Sequence, residues 1–333
     1  MLHAMLARCP RSAIIAIFWL FLFGAPAFAV QWHMATPYAE ANFHTRNIRL
    51  FAEDVNKATG GRLAIVVHSN GALVRHAQIK RAVRGGQVEA GEFLLSGLAN
   101  EDPVFQLDSL PFLVTGYPAA RRLWEESRDT VSDLLARQGL VVLFAVPWPP
   151  QGLYSRRPLA TASALSGARF RAYNSATERL ARLLGAVPTQ IEVPDIPQAF
   201  ATGRIDAMMT SAATGVNSKA WDFVKVYYDI RAWLPKNIVV VNRRALSQLD
   251  APDRAVLLEA AARAEARGWR MSEDENAEKL RRLRQSAMTV MVPGARLLGD
   301  LKRLGARLRR EWEARAGEKG RTILKALCDN DQC

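Results

Sequence analysis

The feature that most constrains the fold is an alternation of short apolar strands and helices that occurs twice along the chain. In the first round, the segments VQWHMAT, RLAIVVHS and VEAGEFLLS have the composition of strands, and helical segments lie between them. Successive strands joined by helices pair in parallel, because each helix returns the chain to the same end of the sheet. This round predicts an α/β domain.

A second round begins near Val141 with the strand LVVLFAVPW, and we interpret the following PPQG as a rigid loop. GARFRAY, TQIEV and IDAMMTS are predicted strands, with the helices SATERLARLLGA and IPQAFATG between them. WLPKN is the point where the chain could return to the first lobe. A helix from about Asp253 to Arg284 would extend about 45 Å, enough to lie across both lobes, and a further helix follows from about Gly299 to Arg315.

We therefore expect an α/β protein with two lobes, each a mainly parallel sheet flanked by helices, and a long helix spanning both. The predicted limits are 30–147 plus 236–275 for lobe I and 148–235 plus 276–325 for lobe II. Residues 326–333 form a predicted C-terminal tail.

The first 29 residues have the pattern of a cleaved signal peptide. Arg8 and Arg11 precede the apolar segment AIIAIFWLFLFGAP, and AFA supplies an A-x-A cleavage site that ends at Ala29. The apolar segment is shorter than the roughly 20 residues that a membrane-spanning helix needs. We therefore expect a protein that is exported by this signal.

The formal net charge is +13, but the basic residues are mixed with acidic ones along helices, as in AEKLRRLRQ. No block of like charge forms a tail of the kind that binds nucleic acid. Of the three cysteines, Cys9 lies in the predicted signal peptide. Cys328 and Cys333 could close a small C-terminal loop in an oxidising compartment.

Motifs of the common catalytic and metal sites are absent from the sequence. It contains no G-x-S-x-G elbow, P-loop or H-E-x-x-H segment, and no cluster with metal-ligand spacing. We interpret the five histidines as surface or core residues and predict no catalytic residue, metal or cofactor: His3, His33, His44, His68 and His76. A secreted enzyme that uses carboxylates is the alternative.

The segment RFRAYNSATE suggests an anion site. Arg171 lies near the carboxyl end of a predicted strand, and Ser175 with Glu178 forms an S-x-x-E capping box at the start of the next helix. A helix N-terminus and an arginine both favour a bound anion. The alternative is that Arg169 and Arg171 only face solvent at a strand edge.

Two further segments place polar and aromatic residues at strand ends, where ligands of α/β proteins bind. VPWPPQGLYS carries Trp148, Gln151 and Tyr154 around two prolines, and its aromatic residues could instead simply pack between the lobes. Thr210 ends a predicted strand, and Trp221 lies on the next helix, where it could equally be a core residue.

With these segments in view, the chain resembles the solute-binding proteins of TRAP transporters, the DctP type of periplasmic receptor for sodium-coupled uptake. The resemblance is carried by FAEDVNKATGGRLAIVVHSNGAL, by LDSLPFL and by LSGARFRAYNSATERLARLLGAVPTQIEVPDIPQAFATGRIDAM. It implies two α/β lobes hinged by crossing strands and a membrane permease as partner. It also implies that Arg171 grips a ligand carboxylate, and it makes Arg169 the lesser contact.

The sequence departs from the family pattern at three positions. Where many members have a second arginine, this chain has Gln151 or Tyr154, depending on the alignment. The common asparagine after the last strand of the pattern is Thr210, and an acidic residue of the first lobe is replaced by Leu94, with Glu92 close by. These departures predict a pocket that is less charged and more aromatic than that of a dicarboxylate receptor.

We therefore predict a receptor for a small monocarboxylate, such as a 2-oxo or 2-hydroxy acid, with Arg171 forming the salt bridge. An exported binding module that serves a sensor kinase is the alternative. The other predicted ligand-binding residues are Trp148, Tyr154 and Trp221 as walls, Gln151, Asn174, Thr210 and Asn237 as hydrogen-bonding groups, and Glu92.

Overall fold

The computed structural model describes residues 30–328. The predicted signal peptide, residues 1–29, and Cys333 lie outside the described residues, so cleavage after Ala29 and a Cys328–Cys333 loop stay predictions. No helix within residues 30–328 combines the length and the apolar character needed to cross a membrane.

The described part of the chain alternates strands and helices along most of its length. The strands are β1 (Val30–Ala35), β2 (Leu63–His68), β3 (Ala90–Leu94), β4 (Leu140–Pro147), β5 (Gln151–Ser155), β6 (Arg169–Ala172), β7 (Val187–Gln190), β8 (Ala207–Ser211), β9 (Val226–Tyr228), β10 (Lys236–Asn242) and β11 (Thr289–Met291). The α-helices are α1 (Phe43–Ala58), α2 (His76–Gly85), α3 (Tyr117–Ala136), α4 (Ser175–Leu183), α5 (Ile196–Ala201), α6 (Ala212–Asn217), α7 (Arg243–Gln248), α8 (Ala251–Arg284) and α9 (Ala295–Cys328).

The first sheet has the strand order β2-β1-β3-β10-β4. β1 pairs in parallel with β2 and with β3, as the strand–helix–strand alternation predicts. Side chains alternate between the two faces, so Met34 and Val239 pack in one apolar cluster and Ala35 and Val240 in another. The sheet is therefore buried on both faces by helices.

The second sheet has the order β11-β9-β5-β8-β6-β7, with β6 parallel to both β7 and β8. It is also covered on both faces: Met209 packs with Phe170 on one side, and Met208 with Tyr154 and Tyr227 on the other. The predicted fold class, an α/β protein with two sheets flanked by helices, is confirmed. Below, lobe I and lobe II denote the parts of the chain around the first and second sheets; the predicted residue limits of the lobes stay a proposal.

Each sheet contains one strand that runs antiparallel to both its neighbours. These are β10 in the first sheet and β5 in the second. The reason is topological: each enters its sheet just after the chain has left the other lobe, so it starts at the end where the parallel strands finish. The prediction of a loop over PPQG is wrong at its end, because Gln151 already pairs with Ser211 in β5.

Two helices of 34 residues link the lobes. In α8, which would extend about 51 Å, Leu257 packs against the first sheet and Leu283 against the second. The helix predicted from Asp253 to Arg284 is therefore found, and it lies against both lobes as expected. The last helix is longer than predicted and is kinked at Gly317, which has a φ of 63°.

Gly268 permits the close crossing of α8 over lobe I. A Cβ atom at this position would lie 2.4 Å from Val146 Cγ2 and 2.7 Å from Asn47 Nδ2. At Gly299 in α9, the nearest atom to such a Cβ is the flexible Arg303 Nη1 at 3.6 Å. The two glycines therefore differ in packing but not in helical context.

We expect Gly268→Ala to lower the free energy of unfolding by about 1–2 kcal/mol, because overpacking outweighs the better helix propensity of alanine. Gly299→Ala should raise it by up to about 1 kcal/mol, because only the propensity changes there. Denaturant unfolding of both variants checks the prediction, and equal stabilities for the two would contradict it.

Candidate functional site

The carboxyl ends of the parallel strands of both sheets face each other and border a partly open cavity. Open α/β sheets commonly bind ligands at this edge. Residues from both lobes form the lining: Tyr38, His76, Leu94, Trp148, Gln151, Arg171, Tyr173, Glu192, Val193, Thr210, Thr214 and Pro235. Four of the predicted site residues belong to this set: Arg171, Trp148, Gln151 and Thr210.

Arg171 contributes a guanidinium group to the cavity lining. It lies on β6, between β7 and β8, and only 2 % of its surface is exposed. Its Nε donates a hydrogen bond to the Ile191 carbonyl at 3.0 Å, and its guanidinium carbon lies 4.8 Å from the centre of the Tyr173 ring. Within residues 30–328 it forms no salt bridge. Burial lowers the pKa of this guanidinium, the sign of a charge whose lost hydration is not fully replaced.

Arg169 is placed quite differently, two residues earlier on the same strand. Its side chain is half exposed, and Nε and Nη2 each lie 2.8 Å from an oxygen of the Asp206 carboxylate. This bidentate pair lies outside the cavity lining. The charge of Arg169 is therefore already met by the protein itself.

One wall of the cavity is aromatic. Trp148 is 5 % exposed and lies edge-on to Tyr38, with ring centres 5.0 Å apart. Trp148 Nε1 donates to Asn237 Oδ1 at 2.9 Å, and the Tyr38 hydroxyl donates to the same oxygen at 3.2 Å. Asn237 thus holds both rings in place from the side of the wall that faces away from the cavity. It does not line the cavity, so its predicted role as a direct ligand contact is not supported by its position.

Glu92 is also behind this wall rather than in the cavity, contrary to its predicted contact with ligand. It is 1 % exposed, accepts hydrogen bonds from Asn237 Nδ2 at 2.9 Å and from the Thr36 hydroxyl at 2.6 Å, and lies on β3. His44 Nδ1 lies 3.1 Å from Glu92 Oε1, within ion-pair distance but without hydrogen-bond alignment. Glu92 therefore acts on the cavity from behind, through the Asn237 amide that it orients.

The ionisation of Glu92 depends on these contacts. Burial by itself would raise the pKa of the carboxyl group, but the charge of His44 and the hydrogen bonds from Thr36 and Asn237 outweigh it. The net pKa lies below the usual value of 4.5. A buried carboxylate is thus held ionised and orients the amide that supports the aromatic wall.

Gln151 and Thr210 both line the cavity, from the neighbouring strands β5 and β8. Gln151 Nε2 donates to the Pro149 carbonyl at 2.7 Å, and the Tyr173 hydroxyl donates to Gln151 Oε1 at 3.4 Å. These bonds hold the Gln151 amide in one orientation. Thr210 lies opposite Gly152 in the ladder, at the carboxyl end of β8.

Tyr154 and Trp221 do not reach the cavity, so their prediction as walls is wrong. Tyr154 points to the opposite face of the second sheet, where it packs on Tyr227 and donates to the Ser211 carbonyl at 3.0 Å. The register explains this, since β5 side chains alternate and Tyr154 is an odd number of residues from Gln151. Trp221 lies on a short 3-10 turn (Ala220–Asp222), partly buried against the apolar cluster that contains Tyr154 and 6.0 Å from Arg282 of α8.

Asn174 does not line the cavity either, which contradicts its predicted contact with ligand. Its side chain caps α4 by accepting from Thr177 N at 2.9 Å, and its Nδ2 donates to Ser96 Oγ of lobe I at 2.8 Å. The capping box is formed by Asn174 and Thr177, not by Ser175 and Glu178 as predicted. The Asn174 side chain is therefore engaged by the cap of α4 and by Ser96 rather than directed into the cavity.

Sequence reasoning missed several lining residues, among them Tyr38, His76, Glu192 and Thr214. Each follows closely on a strand or opens the next helix on the cavity side. Tyr38 and Thr214 lie within three residues of the ends of predicted strands, so the strand-end rule applied to every predicted strand would have selected these two. Within residues 30–328, no cluster of three or more potential metal ligands is present.

Replacing Glu92 by Gln should lower the free energy of unfolding by about 1–3 kcal/mol near neutral pH, since the amide leaves a buried donor unmatched. The lowered pKa means that the stabilising contribution of this carboxylate is complete above pH 4.5 and is lost as the pH falls through the folded value. The difference in free energy of unfolding between the wild type and the variant should therefore become smaller as the pH is lowered from about 7 to about 3.

Urea unfolding of the wild type and the variant at both pH values tests this expectation. Glu101→Gln, which removes an exposed partner of Lys80, is the control and should stay within about 1 kcal/mol of the wild type. A deficit of the same size at both pH values would show that the charge of Glu92 is not what stabilises the wall.

Comparison with known proteins agrees with this geometry. Residues 34–311 match the profile of the DctP family, described as bacterial extracellular solute-binding protein, family 7. A solute-binding protein of Albidiferax ferrireducens is 22% identical over 232 residues, which span 68% of each chain.

Two solved structures are more similar. The Bordetella pertussis extracytoplasmic solute receptor DctP7, described as binding pyroglutamic acid, is 43% identical, with a TM-score of 0.88, over 90% of this chain and 99% of its own. A TRAP solute-binding protein from a marine metagenome, described as specific for pyroglutamate, is 36% identical, with a TM-score of 0.89, over 91% of this chain and 99% of its own.

These relatives are solute receptors and not enzymes. The resemblance seen in the sequence is confirmed over most of the described chain, from the first sheet to the middle of α9. The chain belongs to the DctP family of bacterial extracellular solute-binding proteins.

Proposed function

We propose that this chain is the periplasmic receptor of a TRAP-type transporter and that its cavity binds a small monocarboxylate, with pyroglutamate as the first candidate. The 2-oxo and 2-hydroxy acids expected from the sequence share the single carboxylate but not the lactam ring. The described ligand of the two similar solved receptors favours the lactam. The receptor would pass its ligand to the membrane permease of the transporter.

The observation that carries the proposal is the buried guanidinium of Arg171. A buried charge that forms no salt bridge is costly, and a ligand carboxylate is the natural compensation. Its Nε is already bound to the Ile191 carbonyl, which fixes the plane of the group. A carboxylate can therefore meet a preorganised pair of donors at low entropic cost.

The number of cationic side chains in the cavity lining favours a ligand with a single negative charge. Among the described residues that line the cavity, Arg171 is the one guanidinium and no lysine is present. A second carboxylate on the ligand would have no cationic partner and would lose its hydration on closure. Neutral donors and acceptors at Gln151, Thr210 and Thr214 suit the remaining polar atoms of a small acid, and Trp148 with Tyr38 suits its ring or chain.

Two hydrogen-bonded contacts link the lobes across the cleft and support a closing motion. Ser96 of lobe I accepts from Asn174 of lobe II, and His76 of lobe I contacts Glu192 of lobe II at 3.1 Å. Lobes joined by crossing strands commonly close around a ligand by hinge motion. A permease could then distinguish the closed receptor from the open one.

Arg171→Ala should weaken the binding of L-pyroglutamate by at least about 100-fold, because a desolvated charge-assisted contact is removed. Arg171→Lys should recover only part of the loss, since an ammonium cannot form the bidentate pair. Arg169→Ala is the matched control, because its guanidinium is paired with Asp206 outside the cavity. Isothermal titration calorimetry of the four proteins measures the affinities.

Unchanged affinity in Arg171→Ala would refute the assignment of the anchor. A thermal-shift screen against mono- and dicarboxylates extends the test, because a ligand that binds only the folded state raises its apparent stability. The largest shifts should come from monocarboxylates. A flat response to all of them would refute the proposed ligand class.

Export supplies a separate test of the proposed location. If the signal peptide is cleaved after Ala29, the protein recovered from the periplasm should begin at Val30. Intact mass measurement of the exported protein decides this. A mass that includes residues 1–29 would argue for an anchored protein instead.

A further inference from the structure

A single carboxylate lines the cavity beside the buried guanidinium. Glu192 follows β7 in lobe II, and the residue before it, Ile191, accepts the hydrogen bond from Arg171 Nε. Among the described lining residues, Glu192 is the one carboxylate, just as Arg171 is the one guanidinium. A receptor for a simple monoanion needs no such group, and a carboxylate repels any anion nearby. Its presence calls for an explanation in the ligand.

Glu192 is held in place from the opposite lobe. His76 Nδ1 lies 3.1 Å from Glu192 Oε2, and the backbone N–H of Leu94 donates to His76 Nε2 at 3.1 Å. Because Nε2 accepts, the proton of a neutral imidazole is on Nδ1 and is donated to Glu192. Since His76 begins α2 of lobe I, this contact forms only where the two lobes come together.

Glu192 retains acceptor capacity in this position. Burial would raise the pKa of its carboxyl group, but the hydrogen bond and charge of His76, followed by the charge of Arg171 and a hydrogen bond from Gln190, lower it overall. The group is therefore an ionised carboxylate near neutral pH, which can only accept hydrogen bonds. It has about four lone-pair directions, and the two protein donors leave others for a ligand.

We propose that Glu192 determines the specificity of the cavity by accepting a hydrogen bond from an N–H group of the ligand whose carboxylate lies on Arg171. His76 acts through Glu192 and is a positioning residue. The inference rests on the proposed function and names its ligand class more closely: a monocarboxylate with a nearby N–H donor, such as a lactam or an amide. An oxygen at the same point would turn its lone pairs toward the carboxylate, and a second carboxylate would add like charge.

The test compares two ligands that differ in one ring atom. L-Pyroglutamate carries the lactam N–H, and 5-oxotetrahydrofuran-2-carboxylate has an ester oxygen in its place. By calorimetry, wild-type protein should bind the lactam at least about 10-fold more tightly, because the site rejects an analogue that leaves a charged acceptor unmatched. Glu192→Gln should reduce this ratio to within about threefold, because an amide can accept from the lactam or donate to the lactone.

Three further variants separate positioning from general structural effects. His76→Ala should lower the lactam-to-lactone ratio, and His76→Gln should restore much of it, because its amide can accept from the Leu94 N–H and donate to Glu192. Asp195→Asn is the matched control: it neutralises an exposed carboxylate three residues after Glu192 that does not line the cavity. Its ratio should equal that of the wild type.

The outcomes distinguish this inference from the proposed function. If the wild type binds both ligands equally and Arg171→Ala abolishes both, the proposed function holds and the role of Glu192 is refuted. If the wild type binds neither ligand, the proposed ligand class fails as well. A Glu192→Gln protein that keeps the wild-type ratio also refutes the inference. The comparison of the two ligands on the wild type requires no variant, so it can refute the inference even if the Glu192→Gln protein does not fold.

Discussion

A buried guanidinium that forms no salt bridge among the described residues is the feature on which the site depends. Arg171 lies inside the second sheet, where its neighbours β7 and β8 fix the backbone, the Ile191 carbonyl fixes Nε and the Tyr173 ring covers one face. These contacts orient the charge but do not neutralise it. Binding of an anion would therefore offset the free-energy cost of desolvating Arg171. The geometry favours a single carboxylate as that anion.

The crossing of the chain between the lobes places the rest of the site. Trp148 N donates to the Pro235 carbonyl at 2.7 Å and Gln151 N to the Trp233 carbonyl at 2.9 Å, so the two crossings are bound to each other. Trp148 and Gln151 line the cavity from this junction. Any hinge motion therefore moves part of the cavity wall, which gives a direct physical link between ligand contact and closure.

Much of the fold and part of the site could be predicted from the sequence. Helical spacing and strand composition are local properties, and they identified most elements, including α8. The strand–helix junction around RFRAYNSATE suggested an anion site, and the family resemblance selected Arg171 over Arg169. The prediction that Tyr154 lines the cavity was wrong because a shift of one residue in register changes the face of β5 that a side chain occupies. The loop predicted over PPQG gave the wrong start for β5, so this register could not be read from the sequence. Glu192 and His76 were missed because they meet only across the cleft.

The sequence by itself determined the α/β alternation and the family, and it pointed to Arg171 as the proposed anchor, because these depend on periodicity and on motifs that lie within a few dozen residues. Only the tertiary structure decided what surrounds that arginine. It places Glu92 and Asn237 behind the aromatic wall and makes Asn174 a helix cap. It also brings Glu192 into the same cavity lining as Arg171, where Glu192 contacts a histidine from the other lobe. The physical reason is that burial and pairing of a polar group depend on contacts between residues far apart in the chain, which no local pattern encodes.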